Sequence, residues 1–176
     1  MPTIRLDYSI HKKLILSDGV NRPLEIAKTR LQMRVLLANH PKPLNAIIDT
    51  GTPYSIVSKQ LWDSPGIHDQ IEWLLFPPGV KTLALPTLTL GGKVYPYRLG
   101  RLRMQPCDVS GEAWNAVSPT CQLLEDEQLP NQPSFTPQIL IGLTDSLLDQ
   151  LYLVVKPSSF DGRHEAWLTD ERPGHP

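Results

Sequence analysis

Asp49-Thr50-Gly51 is the segment of this chain best equipped for chemistry. It follows the apolar run Leu44, Ala46, Ile47, Ile48 and precedes Thr52-Pro53-Tyr54 and Ser55-Ile56-Val57. A strand ending in a carboxylate, with a glycine two positions on, presents the acid on a tight turn. Two carboxylates held close cannot both ionise, so one keeps a proton and serves as acid while the other serves as base. The triplet occurs once in 176 residues, so a second such carboxylate has to come from a second chain. Asp145 and Asp149 read as a helix cap and a solvated helix face instead.

Other chemistries find little support. The histidines at 11, 40, 68, 164 and 175 are scattered, which suits neither a metal site nor a Ser-His triad. Cys107 and Cys121 are the only cysteines, form no C-x-x-C pair, and are expected to be free thiols. Neither a metal nor a cofactor is expected. The 17 basic and 18 acidic residues, net charge -1, form no block of like charge, so no nucleic-acid partner is indicated. The amino end lacks the pattern of a signal peptide and no apolar run approaches a bilayer's thickness, which makes a cytoplasmic protein without a membrane partner the expectation.

Eighteen prolines, about twice average usage, favour short strands and loops over a helical bundle, so the predicted class is all-β. The length suits one domain over 1–176, with a strand and extension at 1–29 and a polar tail at 169–176. Leu31, Met33, Val35 and Leu37 alternate, and Leu44 to Ile48 returns as the strand that delivers Asp49. Ser58 to Trp62 reads as a capped helical turn, and 63–80 suits helix or strand until Pro77-Pro78-Gly79 forces a turn. Gly91-Gly92 lies between two apolar runs and predicts a hairpin. From Gln105 to Gln138 the periodicity fails and prolines recur, which predicts a long loop. Ile139 to Leu143 is a strand, Ser146 to Leu151 an amphipathic helix, Tyr152 to Val155 a buried strand, and Ala166 to Leu168 the last strand.

Two separated pieces, Asp49-Thr50-Gly51-Thr52 after its apolar strand and Ile139-Leu140-Ile141-Gly142 entering a helix, resemble the retropepsin-like aspartic protease family. The resemblance spans roughly residues 30 to 170. It implies a closed β-barrel with one short C-terminal helix, active as a two-fold homodimer in which each chain gives one Asp49. It further implies that Thr50 bonds across the two-fold axis, that Gly51 turns its N–H toward the carboxylate, and that Thr52 and Ser55 support the loop. Ile141 and Gly142 would be the structural motif behind it. A flap should cover a peptide or protein substrate. Phe76, Pro77, Pro78, Gly79 and Val80 are the expected flap, with the Gly91-Gly92 hairpin as the other choice. The implied activity is peptide-bond hydrolysis by a water held between the two carboxylates. The alternative is a catalytically silent dimer of the same fold that binds peptides or serves as a scaffold.

Overall fold

Alternating apolar and polar residues make strands here because the two faces of a strand meet different surroundings. The computed structural model describes residues 3–16, 24–49, 51–80, 84–108, 110–125, 139–145, 148–149, 151–157 and 164–172; side chains at 8–16, 24–29, 157 and 164 fall outside the description. The chain opens with β1 (Thr3–Arg5), β2 (Asp7–Leu16) and β3 (Leu24–Leu37), where Met33, Val35 and Leu37 are buried and Arg34 is exposed. Asn39, with φ +62, helps turn the chain into β4 (Leu44–Ile48). After the Asp49 segment come β5 (Ser55–Val57) and the helical turn α1 (Lys59–Trp62). Trp62 fixes that turn: its indole N–H donates to the Leu124 carbonyl at 2.7 Å and its ring meets Trp73 edge-on at 5.7 Å.

A short 3-10 turn at His68–Gln70 leads to β6 (Glu72–Leu75), and β7 (Thr87–Leu90) pairs with β8 (Lys93–Arg101) through Gly91 and Gly92. These glycines adopt φ +56 and +83, conformations a tight hairpin demands and other residues resist. The chain continues through β9 (Met104–Cys107), β10 (Thr120–Leu124), β11 (Ile139–Ile141), β12 (Tyr152–Pro157) and β13 (His164–Thr169). Ten strands make one sheet in the order β2-β3-β4-β11-β5-β10-β8-β6, with β7 joined to β8 and β9 to β3. The remaining three make a second sheet, β1-β13-β12. One apolar core joins them, with Ile4, Ala166 and Leu168 of the small sheet packed with Met33, Val57 and Leu123 of the large one. No helix among the described residues is long and apolar enough to cross a membrane.

The mostly β expectation holds, and four details differ. Among the described residues the large sheet curls as a half-barrel, not a closed barrel, because β2 and β6 end its path without pairing to each other. Two strands fall on the expected loop 105–138: β9, which starts at Met104 and pairs antiparallel with residues 34–37 of β3, and β10, buried along its whole length. Prolines mask β9 because Pro106 sits inside it, and Gln122 breaks the apolar pattern of β10 although it is buried. Residues 126–138 of that stretch lie outside the description. The strand expected to be buried at Tyr152 to Val155 is instead an edge whose Tyr152, Leu153 and Val155 are exposed. The expected C-terminal helix falls partly on Ser146, Leu147 and Gln150, outside the description, while Leu148 and Asp149 form a turn closed by the Leu151 N–H donating to the Leu148 carbonyl at 3.0 Å.

Candidate active site

Asp49 owes its position to a strand that arrives from ninety residues away. β11 inserts between β4 and β5, parallel to the first and antiparallel to the second, with Leu140 opposite both Ile47 and Ile56. The Asp49 N–H donates to the Ile141 carbonyl at 2.9 Å, continuing the ladder past the end of β4. Beyond β11 the chain passes against the Asp49 loop: the Leu143 N–H donates to the Thr52 carbonyl at 3.1 Å and the Thr144 N–H to the Pro53 carbonyl. The Gly142 N–H donates to the Ser55 hydroxyl at 3.3 Å, and Ser55 is fully buried. A Cβ on Gly142 would lie 2.4 Å from the Tyr54 carbonyl carbon and 2.7 Å from the Pro53 oxygen, so only glycine fits this crossing.

The loop closes on the carboxylate itself. Gly51 donates its N–H to Asp49 Oδ1 at 2.9 Å, and the Thr52 hydroxyl and N–H donate to the Asp49 carbonyl at 3.2 and 3.3 Å. Asp49 is half-buried, with one carboxylate oxygen held by Gly51. Such a carboxylate is fixed in direction and still accessible, which suits a proton acceptor or a water-holding group. Thr50 lies outside the described residues. Ile141 and Gly142 therefore stand with Asp49, Gly51, Thr52 and Ser55 in one assembly, while the residues from Phe76 to Val80 stand elsewhere in the sheet.

That segment follows β6, with four strands between β6 and β4 along the sheet. Phe76 adopts φ +59, and the Arg98 guanidinium holds the turn by donating to the Phe76 and Pro77 carbonyls while also pairing with Glu125. Lys59 adds a second contact to Glu125 at 3.7 Å. Phe76, Pro77, Pro78, Gly79 and Val80 thus form a fastened corner at the sheet's end.

Strand alternation sorts the side chains near Asp49. Ala46, Ile48, Val57, Leu123, Ile139 and Ile141 face the main core. Ile47, Leu140 and Ile56 form a cross-strand row on the opposite face, and Asp49, two positions beyond Ile47, belongs to that face. There a smaller cluster gathers Ile56, Leu124 and Tyr95 with Leu88, Leu90, Tyr97 and Leu140. Leu88, Leu90 and Tyr95 come from β7 and β8, so the Gly91-Gly92 hairpin is the element packed onto the face that bears Asp49.

Sequence reasoning missed Arg30. Leu31 pairs with Ile48, so Arg30 and Asp49 are the next residues along neighbouring strands. Burial pushes the Arg30 guanidinium below its ordinary range, and the charge of Asp49 pulls it back up. The only signal in the sequence was the register of the β3-β4 hairpin, which fixes which basic residue of β3 reaches the aspartate. Asp145 was read as a helix cap; instead it adopts φ +43 and accepts from the Thr120 hydroxyl, tying β10 to the segment after Gly142. Cys107 and Cys121 are buried free thiols, and burial pushes the Cys121 thiol up to about 12. Comparison with known proteins finds no matching family model and no matching curated protein.

Proposed function

We propose that this chain is an aspartic-type endopeptidase that works as a homodimer, each copy giving one Asp49 to a shared pair. The observation that carries the reading is the crossing at Gly142, which brings the two family-like pieces together and clamps the Asp49 loop through Ile141, Thr52 and Pro53. A Cβ at Gly142 would meet the Tyr54 backbone at 2.4 Å, so the loop that follows Asp49 leaves room for glycine alone at this crossing. A single carboxylate is half of the required chemistry, so the second copy is part of the site. Tyr152, Leu153 and Val155 on the β12 edge offer apolar surface for such a partner, with Leu143 exposed beside the Asp49 loop.

In the paired site, the ionised carboxylate takes a proton from a water lying between the two aspartates, and that water attacks the scissile carbonyl. The protonated carboxyl donates to the developing oxyanion, and the leaving amine is protonated in turn, with no covalent intermediate. Thr50 and Gly51 would brace the two loops, and the β7-β8 hairpin is the better candidate for the flap because it packs on the Asp49 face.

A second reading, a catalytically silent dimer that binds extended peptides, draws on Arg30. A guanidinium next to Asp49 in the strand register gives the aspartate a charged neighbour within its own chain, which a binding-only fold could use for structure alone. Incubating the purified protein with a mixed peptide library between about pH 4 and 7, with Asp49→Ala and pepstatin as controls, separates the two. Cleavage lost in the variant and blocked by pepstatin supports the endopeptidase. Cleavage that persists in Asp49→Ala sinks the mechanism, and a wild type that captures peptides intact favours the binder.

A further inference from the structure

On the inner side of the β7-β8 hairpin sits a fully buried tyrosine hydroxyl. Tyr95 is 0% exposed and its hydroxyl has no hydrogen-bond partner among the described residues. Burying a hydroxyl without a partner costs stability, because the bond it made to water is not replaced. Phenylalanine would fill the same space without that cost, so nothing among the described residues calls for the hydroxyl.

Its surroundings suggest one. Ile56 and Leu124 are buried with the ring, Leu88, Leu90 and Leu140 pack against this cluster, and Lys93 Nζ lies over the ring at 4.9 Å from its centre. Leu140 and Ile56 belong to the row that starts at Ile47, two residues before Asp49. Such apolar walls suit an apolar side chain, but any extended peptide also brings backbone N–H and C=O groups that must be paired once water is excluded. A phenolic hydroxyl can donate to a carbonyl or accept from an N–H. The hairpin that covers it has an open tip: Gly91 and Gly92 form the turn, a Cβ on Gly92 would meet nothing within 4 Å, and Val94 is 57% exposed.

We propose that Tyr95 is a substrate-positioning residue whose hydroxyl pairs with a backbone amide of an extended peptide carrying an apolar side chain, held between the β7-β8 hairpin and the Asp49 face. The proposal rests on the endopeptidase reading. Entry of the peptide shifts the hairpin, and the hydroxyl then gains the partner it lacks in the closed protein. Removing the hydroxyl therefore relieves the free protein and weakens the complex, two effects of opposite sign that a purely structural tyrosine does not produce.

Tyr95→Phe tests this by thermal unfolding, by calorimetric titration with pepstatin, and by kcat/KM on a peptide that the wild type cleaves. The expected result is an unchanged or raised Tm, with pepstatin affinity and kcat/KM each lowered about fivefold to tenfold. Affinity within about twofold of the wild type overturns the role given to Tyr95 and leaves the endopeptidase reading standing. A lowered Tm together with weaker binding also overturns it, since the hydroxyl then serves the fold. A wild type that neither binds pepstatin nor cleaves any peptide overturns the endopeptidase reading, and this role with it.

Discussion

On one face of the ten-stranded sheet, Met33, Val35, Ala46, Val57, Leu123 and Ile139 close into a core with almost no exposure. On the other, a cluster of three buried residues shares the surface with the half-buried Arg30 and Asp49. The first face gains stability by removing apolar area from water and leaving few gaps. The second retains a guanidinium next to a carboxylate in the strand register and a buried hydroxyl without a partner among the described residues, features that cost stability and are kept where a ligand or a reaction needs them. Both faces belong to the same strands, because the two-residue period of a strand hands alternate side chains to each. The difference between them is therefore a division between folding and chemistry within single elements.

The largest effect belongs to the crossing that joins the two faces. Gly142→Ala places a Cβ against the Tyr54 backbone, where no flexible side-chain end can yield, and should cost more than about 3 kcal/mol or prevent folding. Urea denaturation checks this, and a loss below about 1 kcal/mol would show that the loop moves aside freely.

Truncation compares the faces directly. Leu123→Ala, in the main core, should lower stability by about 3 kcal/mol, whereas Leu140→Ala, half-buried under the hairpin, should cost about half as much. Equal losses would remove the distinction drawn between the faces.

A smaller effect appears only in alkali. Cys121 is fully buried, and burial raises its thiol from an ordinary 9.0 to about 12, so the folded protein holds the neutral form over a range in which the unfolded chain ionises. Its contribution is intact below about pH 9 and is lost as pH rises through about 12. Cys121→Val should therefore lose less stability than the wild type between these limits, measured by denaturant unfolding across the pH series. Parallel curves for the two proteins would place the alkaline loss elsewhere.

Arg30 and Asp49 provide the smallest test. A double-mutant cycle of Arg30→Met and Asp49→Asn should give a coupling of about 0.5–1.5 kcal/mol, since both groups are half-buried neighbours without a close ion pair. A coupling near zero would mean that the guanidinium ignores the aspartate.

Much of the fold can be read along the chain. Alternation at Leu31 to Leu37 gives β3, the Gly91-Gly92 pair gives the β7-β8 turn, and Ile139 to Ile141 gives β11. These patterns are local, since a strand's period and a turn's φ depend on residues a few positions apart. Pro106 and Gln122 hide β9 and β10 for the opposite reason, because pairing and burial with distant strands override what each residue prefers.

The site divides in the same way. By itself the sequence determined that one Asp-Thr-Gly segment ends an apolar strand and that a second apolar strand runs into a glycine. Only the tertiary structure decided that β11 slots between β4 and β5, that Arg30 adjoins Asp49 in the strand register, and that the β7-β8 hairpin packs with Ile56 and Leu140. The physical reason is range: composition and period act within a segment, whereas a strand's neighbours are chosen by which long-range contacts bury the most apolar surface while pairing every backbone group.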